Sequence, residues 1–264
     1  MRPAASSPTP ERGFNGSPRI TSRHRSPKAA ELVAQSLASI ILQRNMQPGD
    51  TLPNEKTMAE MLDVGRSTLR EALLLLETQG VLTIRTGPGG GPTIRQPQPN
   101  DLASSLSLLL QLLRVPFEEV ISARAVIEPG SARVAAERRP AVEMAALEAT
   151  YEAMVETSTE PEAFRPLYTR FHELVVEAAG NTVVAVVNST LLQISEPVHR
   201  QVTWGTKSMA AALQNHLRFL EAIRTGDGLA AYQEGSVHVR WYRSYLERRV
   251  PHLLAQQVRW EPTA

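Results

Sequence analysis

The chain has 264 residues, of which 42% are apolar and only 5% aromatic; 28 are basic, 27 acidic and none is cysteine. That length accommodates two domains, each with its own core, and the aliphatic bias favours packed helices. The missing cysteines exclude disulfides and thiolate metal sites, so any metal must be held by imidazole and oxygen ligands.

The longest apolar stretch, near Leu106 to Leu113, is well short of the roughly 18 residues that suggest a membrane span. The N-terminus lacks the apolar core and small-residue cleavage site of a secretory signal. The expectation is a cytoplasmic, nucleoid-associated protein with no membrane partner. Charge is unevenly spread. Residues 1–27 carry five Arg against one Glu, 28–96 are neutral overall, and the remainder is slightly acidic. Phosphate contact therefore depends on locally clustered cations rather than on domain-wide charge.

Residues 1–27 are rich in Pro, Ser, Gly and Arg with almost no apolar periodicity, and they read as a disordered tail. From Lys28, the apolar positions Leu32, Val33, Leu37, Ile40 and Ile41 recur at helical spacing. Gln47-Pro48-Gly49-Asp50 is a turn. A short helix over 54–62 is capped by Asn54, and Asp63-Val64-Gly65 breaks it. A second helix covers 66–79, with Gly80 placed for a left-handed C-terminal cap. Strands over 81–85 and 93–95 flank a Gly-Pro loop over 86–92. Gln96-Pro97-Gln98-Pro99 reads as a linker, since each Pro holds its predecessor extended. Helices fill the rest, with breaks at 115–116, 139–140, 159–161, 180–181, 204–205 and 226–227. The expected architecture is mostly α: a winged helix-turn-helix over 28–96, an antiparallel bundle of six or seven helices over 97–250, and a tail over 251–264.

In a helix-turn-helix the second helix enters the major groove and its N-terminal residues meet the bases. That end reads Gly65-Arg66-Ser67-Thr68-Leu69-Arg70. Arg66 and Arg70 lie one turn apart and share a face. An Arg fork can bond guanine O6 and N7 together. Ser67 and Thr68 can donate to phosphate at the helix N-terminus. Leu69, Leu73 and Leu76 take the core-facing positions.

The wider string closely resembles the N-terminal domain of GntR-type regulators. It comprises Pro48-Gly49-Asp50-Thr51-Leu52-Pro53-Asn54-Glu55-Lys56, Met58-Ala59, Val64 to Leu73, and Leu76-Glu77-Thr78-Gln79-Gly80. The resemblance implies that Lys56, Arg66, Thr68 and Arg70 contact operator DNA and that a wing around Thr86 and Gly87 reaches the minor groove. Gly65 departs from the family's usual Ser or Thr. Glycine is only a few tenths of a kcal/mol poorer than Ser as an N-cap.

The helical half resembles the FCD (FadR-like C-terminal) domain. The strings that carry it are Arg124-Ala125-Val126-Ile127-Glu128-Pro129, Phe171-His172-Glu173-Leu174, Ala178-Ala179-Gly180-Asn181, His216, Ala222-Ile223, Gly226-Asp227 and His238. Many such domains hold a divalent metal by one Asp and three His, and a small carboxylate completes the coordination. Carried over, the resemblance implies His172, His216 and His238 as ligands for Zn or Ni. Tyr168 stands where the family has Asp. Glu234, one turn before His238, is a candidate replacement. Either the triad binds metal, or the same His and Tyr side chains hold an organic ligand directly. Arg124 is expected to face the effector carboxylate as a bidentate fork, or else to pair only with Glu128 along the helix.

These readings converge on a homodimeric, ligand-responsive repressor that binds a palindromic operator in double-stranded DNA and is released by a small organic acid. The alternative is an architectural DNA binder with a purely structural helical domain. Catalysis finds no support. There is no nucleophile elbow or acid-base pair, and the glycine-rich 87–91 stretch lacks the Lys-Ser/Thr ending of a phosphate loop.

Overall fold

A computed structural model describes residues 27–260 except 86, 88 and 89. Of the tail expected over 1–27, residues 1–26 lie outside the described residues, as does the wing residue Thr86; residue 27 instead begins the first helix. The chain divides into two compact units, the first ending at Arg95 and the second starting at Gln96.

The first unit contains α1 (Pro27–Gln43), α2 (Glu55–Met61), α3 (Arg66–Thr78), β1 (Leu82–Arg85) and β2 (Gly91–Ile94). Asn54 caps α2 by accepting from Thr57 N at 3.0 Å, which satisfies a backbone donor that has no partner inside the helix. Gly80 follows α3 with φ +74°, a conformation strained for any residue with a Cβ. Val33, Leu37 and Ile41 of α1 form one apolar cluster with Leu69, Leu73 and Leu76 of α3 and with Leu82 and Ile94 of the hairpin. The Glu77 carboxylate accepts from Ile84 N at 2.7 Å and pins β1 to the end of α3.

The hairpin differs from expectation at its second strand, which begins at Gly91 and includes Pro92, opposite Ile84. Proline punctuates turns, so the sequence reads 86–92 as loop. Proline lacks only a donor, however, and the Pro92 carbonyl still accepts from Leu52 N at 2.9 Å.

The second unit consists of α4 (Pro99–Leu112), α5 (Phe117–Arg138), α6 (Ala141–Glu156), α7 (Pro161–Ala178), α8 (Thr182–Gln201), α9 (Thr206–Thr225), α10 (Gly228–Arg249) and α11 (Pro251–Ala255). That is eight helices among the described residues rather than six or seven. The addition is α11, in the stretch read as a tail. Leu253, Leu254 and Val258 are buried in the main core, Phe117 N donates to Gln256 O at 2.9 Å, and Trp260 Nε1 donates to Ser104 Oγ at 2.9 Å. The polar surroundings of this apolar pair mask it in the sequence.

The six breaks separate helices as expected. α5 and α10 pack most extensively. At their closest approach a Cβ on Gly235 would meet Pro129 Cα at 3.2 Å, so only glycine lets these backbones come together without adjustment. Ala132, Ala135 and Ala136 are fully buried on the same helix. This close pairing brings Glu128 of α5 into the same core as His238 of α10. Among the described residues no helix is long and apolar enough to cross a membrane.

Candidate functional site

Two regions carry chemistry. The first is the N-terminal end of α3. Its cap residue, Gly65, has extended backbone (φ −66°, ψ 143°) and supplies no side-chain bond. A Cβ there would meet nothing nearer than Ser67 Oγ at 3.9 Å, so the missing cap is not imposed by crowding. Arg66, Ser67 and Arg70 are exposed and Thr68 is half-buried, while Leu69 beneath them is fully buried. The helix is thus anchored through one face and presents its cations on the other. Lys56 is exposed on α2, and Gly87 is exposed in the hairpin connection with φ +108°. Arg70 is not idle. Its Nε donates to Glu55 Oε2 at 2.7 Å, with 69% of the Arg side chain exposed. A pair so exposed contributes little and leaves the guanidinium available to exchange partners.

The second region lies inside the helical unit. His172 of α7, His216 of α9 and His238 of α10 are buried, and one ligand nitrogen from each lies within 4.8 Å of the others. Their ring centroids are 4.4–5.3 Å apart. Tyr168, one turn before His172, is packed on the triad, with its hydroxyl 3.2 Å from His238 Nε2. His216 Nδ1 is 2.7 Å from Ala212 O; that carbonyl requires a proton on Nδ1 and leaves Nε2 as an acceptor. Arg124 and Glu128 of α5 form a buried pair at 2.7 Å. Glu128 Oε2 is also 2.9 Å from His172 Nδ1, an ion-pair distance without hydrogen-bond alignment. Burial favours a protonated Glu128, but Arg124 and then His172 outweigh it and hold the carboxyl at about 2. Burial also opposes the charge on Arg124, and Glu128 overcomes that too, raising its pKa.

The environment keeps His216 and His238 neutral. Burial, then the neighbouring His172, lowers His216 to about 3. Burial, then His216, lowers His238 well below the usual range. Desolvation pushes the Tyr168 hydroxyl up, so it serves as a neutral donor or acceptor.

Residues 29–90 match the family described as bacterial regulatory proteins, gntR family, and residues 119–240 match the FCD domain. The chain belongs to the GntR family. It is similar to the Galactonate operon transcriptional repressor of Escherichia coli, at 28% identity over 75% of this chain and 88% of that protein. It is also 27% identical to the Putative L-lactate dehydrogenase operon regulatory protein of Escherichia coli, over 84% of this chain and 87% of that one. A solved GntR structure from Streptococcus agalactiae covers 81% of this chain and 99% of its own, with 26% identity and a TM-score of 0.64. This GntR-family chain is a DNA-binding transcription regulator of the FCD type, and its relatives are regulators rather than enzymes.

The FCD unit brings Arg124, Tyr168, His172, His216 and His238 into one core. Glu234 does not join them. It pairs with Arg218 of α9 at 3.4 Å and is partly exposed, one turn nearer the start of α10 than His238. Sequence reasoning missed Glu128 as the carboxylate beside His172. It also missed His199 and Tyr242. His199 is buried, with its ring edge-on to Tyr242 at 5.4 Å, and Tyr242 lies under Arg124, whose Cζ is 6.0 Å from the ring centroid. Asn188, Ser195 and His199 recur at seven and four residues on α8, all buried. That polar stripe on an otherwise apolar face is the signal that could have found them.

The donor set fits a divalent ion. His172 Nε2 and His216 Nε2 are buried without a hydrogen-bond partner among the described residues, and neutral imidazoles are the form that ligates. The 4.8 Å spread of ligand atoms exceeds the roughly 3.3 Å expected between nitrogens sharing a tetrahedral ion, so small ring rotations would close the site. Arg124 Nη1, His199 Nε2 and the Tyr242 hydroxyl are likewise buried and unpartnered among the described residues. Such groups are costly unless something polar meets them.

Proposed function

We propose that this GntR regulator is a ligand-responsive repressor, released from DNA by a small organic acid. Residues 28–96 form the DNA-binding domain and 97–250 the sensing domain. The carrying observation is the buried set of Arg124, the histidine triad, His199 and Tyr242, each of which keeps at least one buried polar atom with no hydrogen-bond partner among the described residues. A purely structural helical core gains nothing from such a set, because apolar residues of similar volume would pack there at lower cost. The names of two relatives refer to galactonate and L-lactate. Both are 2-hydroxy carboxylates, the chemistry this set suits.

His172, His216 and His238 would hold the divalent ion, Zn or Ni. When bound it supplies a Lewis-acidic position for a carboxylate or hydroxyl oxygen. Arg124 donates from Nη1 to the carboxylate while Glu128 fixes its Nε. Tyr168 and Tyr242 direct hydroxyls to the acid's remaining oxygens. At the DNA, Arg66 and Arg70 read base edges. Lys56, Ser67 and Thr68 hold phosphates, and the wing at Thr86 and Gly87 enters the minor groove. A homodimer places two such helices on a palindrome. The effector acts by binding the DNA-competent and incompetent arrangements unequally.

The test is a gel shift on DNA from upstream of the protein's own gene, titrated with glycolate, L-lactate, galactonate and malonate. At least one acid is expected to weaken binding on the order of tenfold, with the effect lost in Arg124→Leu. If no acid alters DNA affinity or melting temperature, with or without Zn or Ni, the helical unit is structural and the release mechanism is wrong.

A further inference from the structure

A cation in the triad would enter a volume whose own charges already cancel. The nearest carboxylate, Glu128, is 1% exposed and bonded to Arg124, itself 2% exposed, at 2.7 Å. Together they contribute no net charge. The three imidazoles are neutral ligands. Tyr168, whose hydroxyl is 3.2 Å from His238 Nε2, is a phenol and carries no charge at neutral pH. Every one of these groups is buried, so water cannot stabilise an added ion. A divalent cation held by His172, His216 and His238 would therefore bring two uncompensated positive charges into a low-dielectric core, which is strongly unfavourable. An ion taking His238 Nε2 would also displace the Tyr168 hydroxyl from its 3.2 Å contact there.

Resting on the reading of the triad as a metal site, we propose that this protein retains its divalent ion only together with an anionic ligand, and that Tyr168 is the residue that creates this dependence. The anion offsets the ion's charge from the open coordination side and meets the unpartnered Arg124 Nη1. Coupling of this kind is reciprocal: the ion strengthens binding of the acid by the same factor that the acid strengthens binding of the ion. The protein then senses the two as one event. An acid without metal, or metal without acid, is held weakly.

The test is equilibrium dialysis of the full chain against nickel(II), buffered at fixed free concentration, with and without formate, glycolate, L-lactate or malonate. Bound nickel is read by mass spectrometry. The wild type is expected to bind nickel on the order of tenfold more tightly when one of these acids is present. Tyr168→Phe, which removes the hydroxyl but adds no charge, is expected still to bind nickel more tightly with acid than without, by a smaller factor than the wild type because one contact to the acid is lost. Tyr168→Asp, which places a carboxylate on the triad, is expected to bind nickel equally well with and without acid. Equal nickel affinity of the wild type in all solutions overturns the dependence and leaves the metal site standing. No nickel bound by the wild type under any condition overturns the metal site and the dependence together. Should Tyr168→Asp not fold, judged by circular dichroism, Tyr168→Glu carries the same charge test, and an acid dependence undiminished in a folded acidic variant overturns the role of Tyr168.

Discussion

Glu128→Ala is expected to destabilise the FCD unit by about 3–5 kcal/mol, the usual result of breaking a buried ion pair from one side. The loss comes from what remains. Arg124 is 2% exposed, its Nε would lose the 2.7 Å bond, and its Nη1 has no partner among the described residues to begin with. A guanidinium cannot shed its proton to escape. The paired change Arg124→Met with Glu128→Leu removes both charges and is expected to cost far less than the single change, or to be neutral in stability. All three tryptophans, Trp204, Trp241 and Trp260, lie in the second unit. Urea unfolding followed by their fluorescence therefore reports on that unit alone. A single-variant loss below about 1 kcal/mol would mean that water or a rearranged side chain reaches Arg124, contrary to the packing described.

The metal-free protein is expected to lose stability as soon as the pH falls below the ordinary histidine range. Burial, then the charge of Arg124, holds His199 at about 3, and burial, then His172, does the same for His216. The unfolded chain takes up protons at these positions near pH 6.5, whereas the native protein refuses them until about pH 3. Between those limits the unfolded state binds more protons, so native stability falls with falling pH. By pH 5 the two together account for about 4 kcal/mol, and His238, lowered in the same direction, adds to it. Glu128 reinforces the trend at lower pH. Its depressed carboxyl stabilises the native state above about pH 4.5, and that contribution is lost as the pH drops toward 2. The check is the urea midpoint at pH 7 and pH 5, with His199→Phe as a control that should reduce the slope. Unchanged stability between the two pH values would show that the histidines are solvated or already charged.

Much of this architecture can be read from the chain itself, for a definite reason. Helix caps and breaks are local chemistry: Asn54, Gly80 and Gly226 act on their own backbone, so residue type suffices. The same holds for Leu69, Leu73 and Leu76, whose spacing along one helix marks the buried face. Contacts between distant elements are different. Nothing in the spacing of Arg124 and Glu128 reveals that His172, 44 positions further along, will sit beside the carboxylate. Glu234 and His238 share a helical spacing, yet only His238 turns toward the triad, while Glu234 meets Arg218. Arg70 shows the same limit on the DNA-reading face. Its place on α3 is legible, but its tie to Glu55 across the helix-turn-helix is not. The histidine triad could be assembled in advance only because the order of its strings resembles the FCD domain.

The proposed regulation depends on Arg66 and Arg70 delivering sequence recognition from the exposed end of α3. The most direct measurement is selection from a pool of random duplexes by the full-length protein at moderate salt, run beside Arg66→Ala. The wild type is expected to enrich a two-fold symmetric sequence. Arg66→Ala, still folded by circular dichroism, is expected to lose about 1–3 kcal/mol of discrimination at the contacted base in each half-site. A wild-type protein that enriches no sequence over the starting pool would contradict the account at its root, whatever acids or metals the helical unit binds.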